Sequence, residues 1–290
     1  MKLTVHNGPL LSSWGEKRIM FIGAMKRFLV GVLWILSLNS RPSLAQPLDA
    51  EDIVRRSVEL TQKDWKQTPE YDYFERDQEP GHTKTYEVSM ILGSRYRRLV
   101  AIDGKPLPPE LAARQEELLQ NARTDREHES PQQRQARVDR YKKETDQQDL
   151  FLNQLLKAFD FTLAGEQKLG SRTVYVVKAH PRRDYHPPNM RAKALTGMEG
   201  TLWIDATDYR WARVEAEVKH AVSIEGFFAR VEPGTRFVLE QSPAEGGIWL
   251  PSHFAMQTHA RVFLLFSHNQ QEDSGYYGYH KARETEAEAR

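Results

Sequence analysis

The sequence has no cysteine among its 290 residues. This absence excludes a disulfide framework, a thiolate metal site and a cysteine nucleophile. It also excludes attachment of a lipid to an N-terminal cysteine. The fold must therefore be stabilised by packing, hydrogen bonds and ion pairs alone.

An excess of basic charge is also missing, since 41 Lys and Arg residues stand against 40 Asp and Glu residues. Six of the basic residues and one of the acidic residues precede Gln46. The chain from Gln46 onward has 35 basic and 39 acidic residues and a net charge of −4. A weakly acidic chain of this kind argues against binding to nucleic acid, because phosphate neutralisation needs a surplus of Lys and Arg on one face.

The sequence lacks the short motifs of common catalytic sites, including G-x-S-x-G, H-E-x-x-H, the P-loop and the dinucleotide-binding glycine pattern. His180, Asp184 and His186 lie in a proline-rich loop, but a third ligand at the spacing of a known metal site is missing. Asp205 and Asp208 fall at a turn, where Asp is favoured for turn hydrogen bonding alone. We therefore expect no cofactor, no metal and no catalytic residues. A hydrolase of unknown type remains an alternative, which a spatial cluster of these side chains would favour.

The apolar run at residues 28–38 has 11 residues, fewer than the roughly 20 needed to cross a bilayer. It follows the basic start Met25-Lys26-Arg27 and precedes Ser43-Leu44-Ala45, which has the small-x-small form of a cleavage site. Residues 1–45 are therefore interpreted as an N-terminal extension with a signal peptide at 25–45, cleaved after Ala45. An uncleaved anchor is the alternative. Residues 46–290 are expected to form one periplasmic domain.

The first part of this domain has helical and then strand periodicity. Ile53, Val54 and Val58 have helical spacing behind Asp49, a favourable N-cap residue, and predict an amphipathic helix. Three segments rich in aromatic and branched residues follow at 71–79, 83–92 and 95–102, separated by turn signals at Gly93 and Gly104. They predict a β-meander.

Residues 109–159 are rich in Gln, Glu, Arg, Asp and Lys and predict an inserted pair of helices at 109–128 and 131–159. Ser130-Pro131 supplies an N-cap followed by a proline at the first helical position. Only the end of the second helix has an apolar stripe, formed by Leu150, Leu152 and neighbouring residues. We interpret most of the insertion as a solvated arm, with a partner-docking element as the alternative.

The rest of the chain has the alternation of half-buried strands. Val214, Ala216 and Val218 alternate with charged residues, and Phe254 and Met256 alternate with Ala255 and Gln257. A last strand is expected at 276–280. Together these patterns predict an α+β fold in which a strongly curved antiparallel sheet has its apolar face covered by helices.

This order of elements, with the segment Gly200-Thr201-Leu202-Trp203-Ile204-Asp205, a short turn and Tyr209-Arg210-Trp211-Ala212-Arg213-Val214-Glu215, resembles the LolA/LolB-like superfamily of outer-membrane lipoprotein-sorting proteins. The resemblance covers most of residues 48–280, and the polar insertion is a departure from it. It implies an open half-barrel with an apolar cavity. It also implies a periplasmic carrier without enzymatic activity that holds the acyl chains of lipid or lipoprotein and meets a membrane-bound partner.

On this interpretation seven side chains are candidates for ligand contact. The predicted cavity lining is Trp203, Val214, Val218, Phe254 and Met256, and the predicted aromatic rim is Phe227 and Phe228. The alternative is that all seven are ordinary core or loop residues. The alternative function is a periplasmic sensor or protein-interaction module on the same fold, which docks through the helical arm.

Overall fold

The structure of the protein is a computed structural model, which describes residues 49–223, 229–262 and 266–282. The predicted signal peptide and cleavage site lie outside the described residues, and so does the predicted rim pair Phe227-Phe228. None of the helices in these three ranges is long and apolar enough to cross a membrane.

The first element is the helix α1 (Ala50–Trp65), which begins where the apolar periodicity predicted. The side chain of Asp49 caps it by accepting a hydrogen bond from the backbone N–H of Glu51 at 3.2 Å. Its buried face includes Ile53, Val54 and Val58. The apolar spacing and the cap residue thus account for both the start and the orientation of the helix.

Strands form a single antiparallel sheet, and the predicted meander is confirmed as its first three members. The strands are β1 (Tyr71–Glu79), β2 (His82–Ile91), β3 (Ser94–Ile102), β4 (Lys105–Pro106), β5 (Phe159–Leu169), β6 (Arg172–Pro181), β7 (Met198–Asp205), β8 (Trp211–Val218), β9 (Val222–Ser223), β10 (Ala229–Val231), β11 (Arg236–Pro243), β12 (Trp249–Val262) and β13 (Phe266–Lys281). The spatial order is β4-β3-β2-β1-β13-β12-β11-β8-β7-β6-β5, with β9 and β10 beside β12. The sheet is open, because its end strands β4 and β5 do not pair with each other in this order, and the predicted α+β class is confirmed.

Strand β13 is much longer than the short strand expected at 276–280. It has 16 residues and pairs with β12 on one side and with β1 on the other. It therefore joins the N-terminal meander to the rest of the sheet. The polar segment from Ser267 to Ser274 has no apolar alternation, so no local pattern predicts the first half of this strand.

The two predicted arm helices are confirmed as α2 (Pro109–Glu127) and α3 (Pro131–Ala158); a single turn, α4 (Met190–Lys193), precedes β7. Ser130 and Gln133 form a reciprocal capping box at the start of α3. Along α3, Tyr141 reaches Met90 of β2, and Ala158 leads directly into the edge strand β5. The sheet is open and strongly curved, as predicted, and α3 lies along its concave side from β2 to β5.

Most described residues of the arm are exposed, as predicted. The arm is nevertheless attached to the sheet at more than its end, which corrects the expectation that only the end is held. Arg126 of α2 donates hydrogen bonds to the carbonyl oxygens of Ile91 and Ser94 at 3.0 and 2.9 Å. Arg137 of α3 donates to the carbonyl of Leu92 at 3.0 Å and to Ser94 Oγ at 2.7 Å. Guanidinium groups on polar helices make these contacts, so hydrophobic periodicity gives no sign of them.

Replacing Arg137 by alanine is expected to loosen the arm from the β2–β3 hairpin. The substitution removes two hydrogen bonds to the hairpin and the ion pair with Glu129, whose closest atoms are 2.7 Å apart. Faster amide exchange in α2 and the first half of α3, with unchanged exchange in β6 and β7, is the expected result in hydrogen-exchange mass spectrometry. Arg140→Ala, at an exposed position one turn away, is the matched control. Equal exchange in both variants would contradict the attachment.

The core lies between α1, the end of α3 and the strands from β5 to β8. It includes Leu152 of α3, Val177 of β6, Leu202 of β7 and Val214 of β8. Polar links also hold α1 to the sheet. Trp211 Nε1 donates to Ser57 Oγ at 2.9 Å, and Arg210 Nε donates to Asp64 Oδ2 at 2.6 Å.

Candidate functional site

Strand register determines which side chains share the concave face of the sheet, the face toward α1 and α3. Leu202, Val214, Leu239 and Phe254 are successive cross-strand partners from β7 to β12. Residues directly opposite each other in antiparallel strands lie on one face. Because Leu202 and Val214 belong to the core under α1, Leu239 and Phe254 extend the same face beyond it.

The structure places four of the five predicted lining residues on this face. Val214 and Val218 are 8% and 1% exposed within the core, where they pack under α1. Phe254 and Met256 are partly exposed on β12. They are accessible to a ligand, whereas the two valines act as ordinary core residues.

Trp203 lies on the opposite face. Its cross-strand partners are Val176 and Arg213, and it packs near Trp249. The guanidinium of Arg213 is 5.9 Å from its ring centroid. Leu202, Trp203 and Ile204 are all apolar. Alternation alone therefore does not indicate that Leu202 and Ile204 face the core and that Trp203 does not.

Phe237 and Leu239 of β11 lie beside Met256 and Phe254 and were not among the predicted residues. All four side chains are partly exposed. We call these four residues the apolar floor. The alternation Phe237, Leu239, Gln241 was the available signal, and it was weakened by the apolar Val238 between them.

A polar surface borders the floor on the next two strands. Met256 is opposite Glu272, and Phe254 is opposite Ser274, whose hydroxyl donates to Asp77 Oδ1 at 2.8 Å. Arg97 Nη2 lies 2.5 Å from Asp77 Oδ2, and Arg97 Nε lies 2.9 Å from Glu75 Oε2. We call Glu75, Asp77, Arg97 and Glu272 the polar wall.

Three tyrosines adjoin the polar wall. The ring of Tyr73 lies 6.2 Å from that of Tyr276 and 5.0 Å from that of Tyr279, centroid to centroid. Burial raises the pKa of Tyr73 to about 12 and also raises the pKa values of Tyr276 and Tyr279. All three hydroxyls are therefore neutral at physiological pH, and they present polar groups without charge.

Glu272 carries a charge that its surroundings do not favour. Partial burial, followed by the nearby carboxylate of Asp77, raises its pKa. A carboxyl group with a raised folded-state pKa contributes most to stability when it is protonated, and this contribution is lost as pH rises through that pKa.

Glu272→Gln is therefore expected to raise the melting temperature slightly at neutral pH and to leave it unchanged in acid, where both side chains are neutral. Melting curves at the two pH values measure this. A lower melting temperature at neutral pH would mean that the carboxylate has a stabilising partner.

The other face of the sheet carries a wide polar trough of about 790 Å³. Its lining includes Lys178, Glu215, Lys219 and Asp273. Where the trough crosses β11 to β13 it also borders Phe237, Met256 and Glu272, which the strand register assigns to the concave face. Many of its charges are paired within the trough: Lys219 Nζ lies 2.6 Å from a carboxylate oxygen of Glu217, and His253 Nε2 lies 3.0 Å from Asp273 Oδ1. A surface of this composition is suited to water and does not fit an acyl chain.

The predicted histidine loop borders a second pocket, of about 500 Å³, which includes Asp184 and His186. His180 instead lies 3.7 Å from Glu199. Within the three described ranges, no group of three His, Asp or Glu side chains is placed to hold a metal ion. The geometry thus supplies no observation that favours the metal or hydrolase alternative.

Asp205 serves the β7–β8 turn, as its position in the sequence suggested. Its Oδ1 accepts hydrogen bonds from the backbone N–H groups of Thr207 and Asp208 at 2.8 and 2.9 Å, and its Oδ2 accepts one from Arg172 at 3.0 Å. Burial opposes its charge, but these hydrogen bonds outweigh burial and lower its pKa. The contribution of this carboxylate to stability is present at neutral pH and is lost as pH falls through the lowered pKa.

No protein-family model and no curated protein matches the chain. Solved structures do match it at low similarity. A LolA superfamily protein from Nitrosomonas europaea has a TM-score of 0.32 and 12% identity over 82% of this chain and 94% of that one. A putative outer membrane lipoprotein-sorting protein domain from Vibrio parahaemolyticus has a TM-score of 0.31 and 9% identity, over 79% of this chain and 94% of that one. A DUF1329 family protein from Desulfovibrio piger has a TM-score of 0.31 and 10% identity, over 80% of this chain and 91% of that one.

The first two of these structures carry the name of the superfamily or sorting domain that the sequence resembles. In this chain the concave face combines four partly exposed apolar side chains with a border of carboxylates, guanidinium groups and tyrosine hydroxyls. Such a surface is amphipathic. It suits a ligand that has an apolar chain and a polar end.

Proposed function

We propose that this protein is a periplasmic carrier that binds acyl chains of lipid or lipoprotein on its concave face, without covalent chemistry. The observation that carries the proposal is the apolar floor of Phe237, Leu239, Phe254 and Met256. These side chains continue the core and are partly exposed.

The positions of the helices explain why the floor stays accessible. Helix α1 packs on β5, β7 and the first residues of β12, where Asp64 accepts a hydrogen bond from the backbone N–H of Trp249 at 2.9 Å. Phe254 and Met256 lie five and seven residues further along β12. An acyl chain on the floor would be stabilised by about 0.8 kcal/mol for each CH₂ group that it buries.

Export forms part of the proposal. The basic start, the short apolar run and the cleavage pattern before Gln46 support a signal peptide at residues 25–45 and a single domain at 46–290. In a periplasmic location the floor would have access to lipid and acylated protein.

The alternative of a docking module is less well supported by the arm itself. Arg126 and Arg137 donate hydrogen bonds to carbonyl groups of the β2–β3 hairpin. These contacts favour a structural role for the first half of the arm.

Uptake of the uncharged dye N-phenyl-1-naphthylamine tests the proposal, because its emission rises in apolar surroundings. The mature protein from Gln46 is expected to give a saturable rise that dodecanol reverses. A fluorescence change that does not saturate, or that dodecanol does not reverse, would count against a carrier. A melting curve recorded in the assay buffer establishes that the protein is folded.

A further inference from the structure

We propose that the concave face selects amphiphiles whose polar end is a protonated amine over amphiphiles with an anionic end, and that Glu272 determines this preference. The inference rests on the proposed carrier function and adds the chemical class of the ligand head.

The first step is the position of Glu272 next to the apolar floor. Phe237, Met256 and Glu272 are directly opposite one another on β11, β12 and β13. Opposed residues in antiparallel strands have Cβ atoms roughly 5 Å apart. A chain that covers Phe237 and Met256 therefore brings its polar end within reach of the Glu272 carboxylate.

The second step is the charge balance of the polar wall. Arg97 is in contact with both Glu75 and Asp77. Within the described ranges, the carboxylate of Glu272 has no hydrogen bond and no ion pair with a protein side chain. A second guanidinium, that of Arg95, acts on Tyr73 and Glu75. Neither guanidinium lowers the pKa of Glu272, so a donor is missing there.

The third step is the chemistry that fits this gap. A protonated amine would donate hydrogen bonds to Glu272, and charge-assisted hydrogen bonds are stronger than neutral ones. A carboxylate or phosphate in the same place would be repelled by Glu272 and Asp77, because Arg97 is already paired. The tyrosine hydroxyls are neutral, and that of Tyr279 already donates to the carbonyl of Pro251 at 2.8 Å. They therefore do not reverse this preference.

Competition between chain-matched amphiphiles tests the inference. The experiment measures how well three amphiphiles compete with bound N-phenyl-1-naphthylamine: dodecylamine, dodecanol and dodecanoate. It uses the wild-type protein and the variants Glu272→Gln and Glu217→Gln. Glu217 is a matched control because it lies in the polar trough on the other face and pairs with Lys219. For wild type we expect dodecylamine to bind about tenfold more tightly than dodecanoate, the ratio that one charge-assisted hydrogen bond gives.

Glu272→Gln is expected to reduce this ratio at least about threefold, with no change in the affinity for dodecanol, whereas Glu217→Gln retains the wild-type ratio. Equal displacement by the amine and the acid in wild type would overturn the head preference and leave the carrier proposal standing. A preference that survives in Glu272→Gln would overturn the role of Glu272. Failure of the dye and of all three amphiphiles to bind would overturn the carrier proposal, and the head preference with it.

Discussion

Replacing Asp64 by alanine is expected to lower the free energy of unfolding by about 3 kcal/mol, the effect of removing one partner from a largely buried ion pair. Asp64 is 1% exposed. It accepts hydrogen bonds from Arg210 Nε and Nη2 at 2.6 and 3.2 Å and from the backbone N–H of Trp249 at 2.9 Å. The substitution leaves a guanidinium and a buried N–H group without their acceptor. Urea unfolding followed by circular dichroism measures the change.

Asp184→Ala is the control for this measurement. Its carboxylate is 76% exposed and lies 3.3 Å from Arg182 Nε. Exposed ion pairs contribute less than about 1 kcal/mol, so this variant should unfold close to the wild-type urea midpoint. Equal losses in both variants would show that Asp64 does not fasten α1 to the sheet.

Replacing Phe254 by glutamine is expected to weaken binding of N-phenyl-1-naphthylamine at least about tenfold, or about 1.4 kcal/mol. The substitution removes an aromatic surface from the apolar floor and places an amide there, which an apolar ligand would have to desolvate. Fluorescence titration of the purified variant gives the dissociation constant.

The neighbouring position provides a matched control. Ala255 is on the same strand but faces the polar trough, opposite Val238 and Asp273. Ala255→Gln introduces the same amide and should bind the dye as wild type does. If the two variants lose affinity equally, the ligand does not lie on the concave face.

Local patterns in the sequence predicted much of the fold. The apolar spacing behind Asp49 predicted α1, Ser130-Pro131 predicted the break between α2 and α3, and the turn residues predicted β1 to β3 within one residue at each end. These signals depend on neighbouring residues alone, so they can be read without knowledge of the tertiary structure.

Features that depend on distant contacts were not predictable in this way. The polar first half of β13 is a strand because β12 and β1 pair with it on either side. Arg126 and Arg137 attach the arm through carbonyl groups more than 30 residues away. Polar side chains on a helix give the same pattern whether they contact water or a neighbouring hairpin.

The candidate site was predicted only in part, because some of its features also depend on distant contacts. Alternation along β12 placed Phe254 and Met256 on one face. Which residues of the Leu202-Trp203-Ile204 run face inward depends on the register with β6 and β8. Glu272 and Arg97 come from strands that are far apart in the sequence, and only the sheet order brings them to the same concave face.

The most direct test of the carrier proposal is native mass spectrometry of the mature protein from Gln46, purified gently from the periplasm, followed by lipid analysis after denaturation. The proposal predicts co-purified phospholipid or acylated peptide that is lost from Phe254→Gln and retained by Ala255→Gln. A protein that arrives empty and also fails to take up the dye would contradict it.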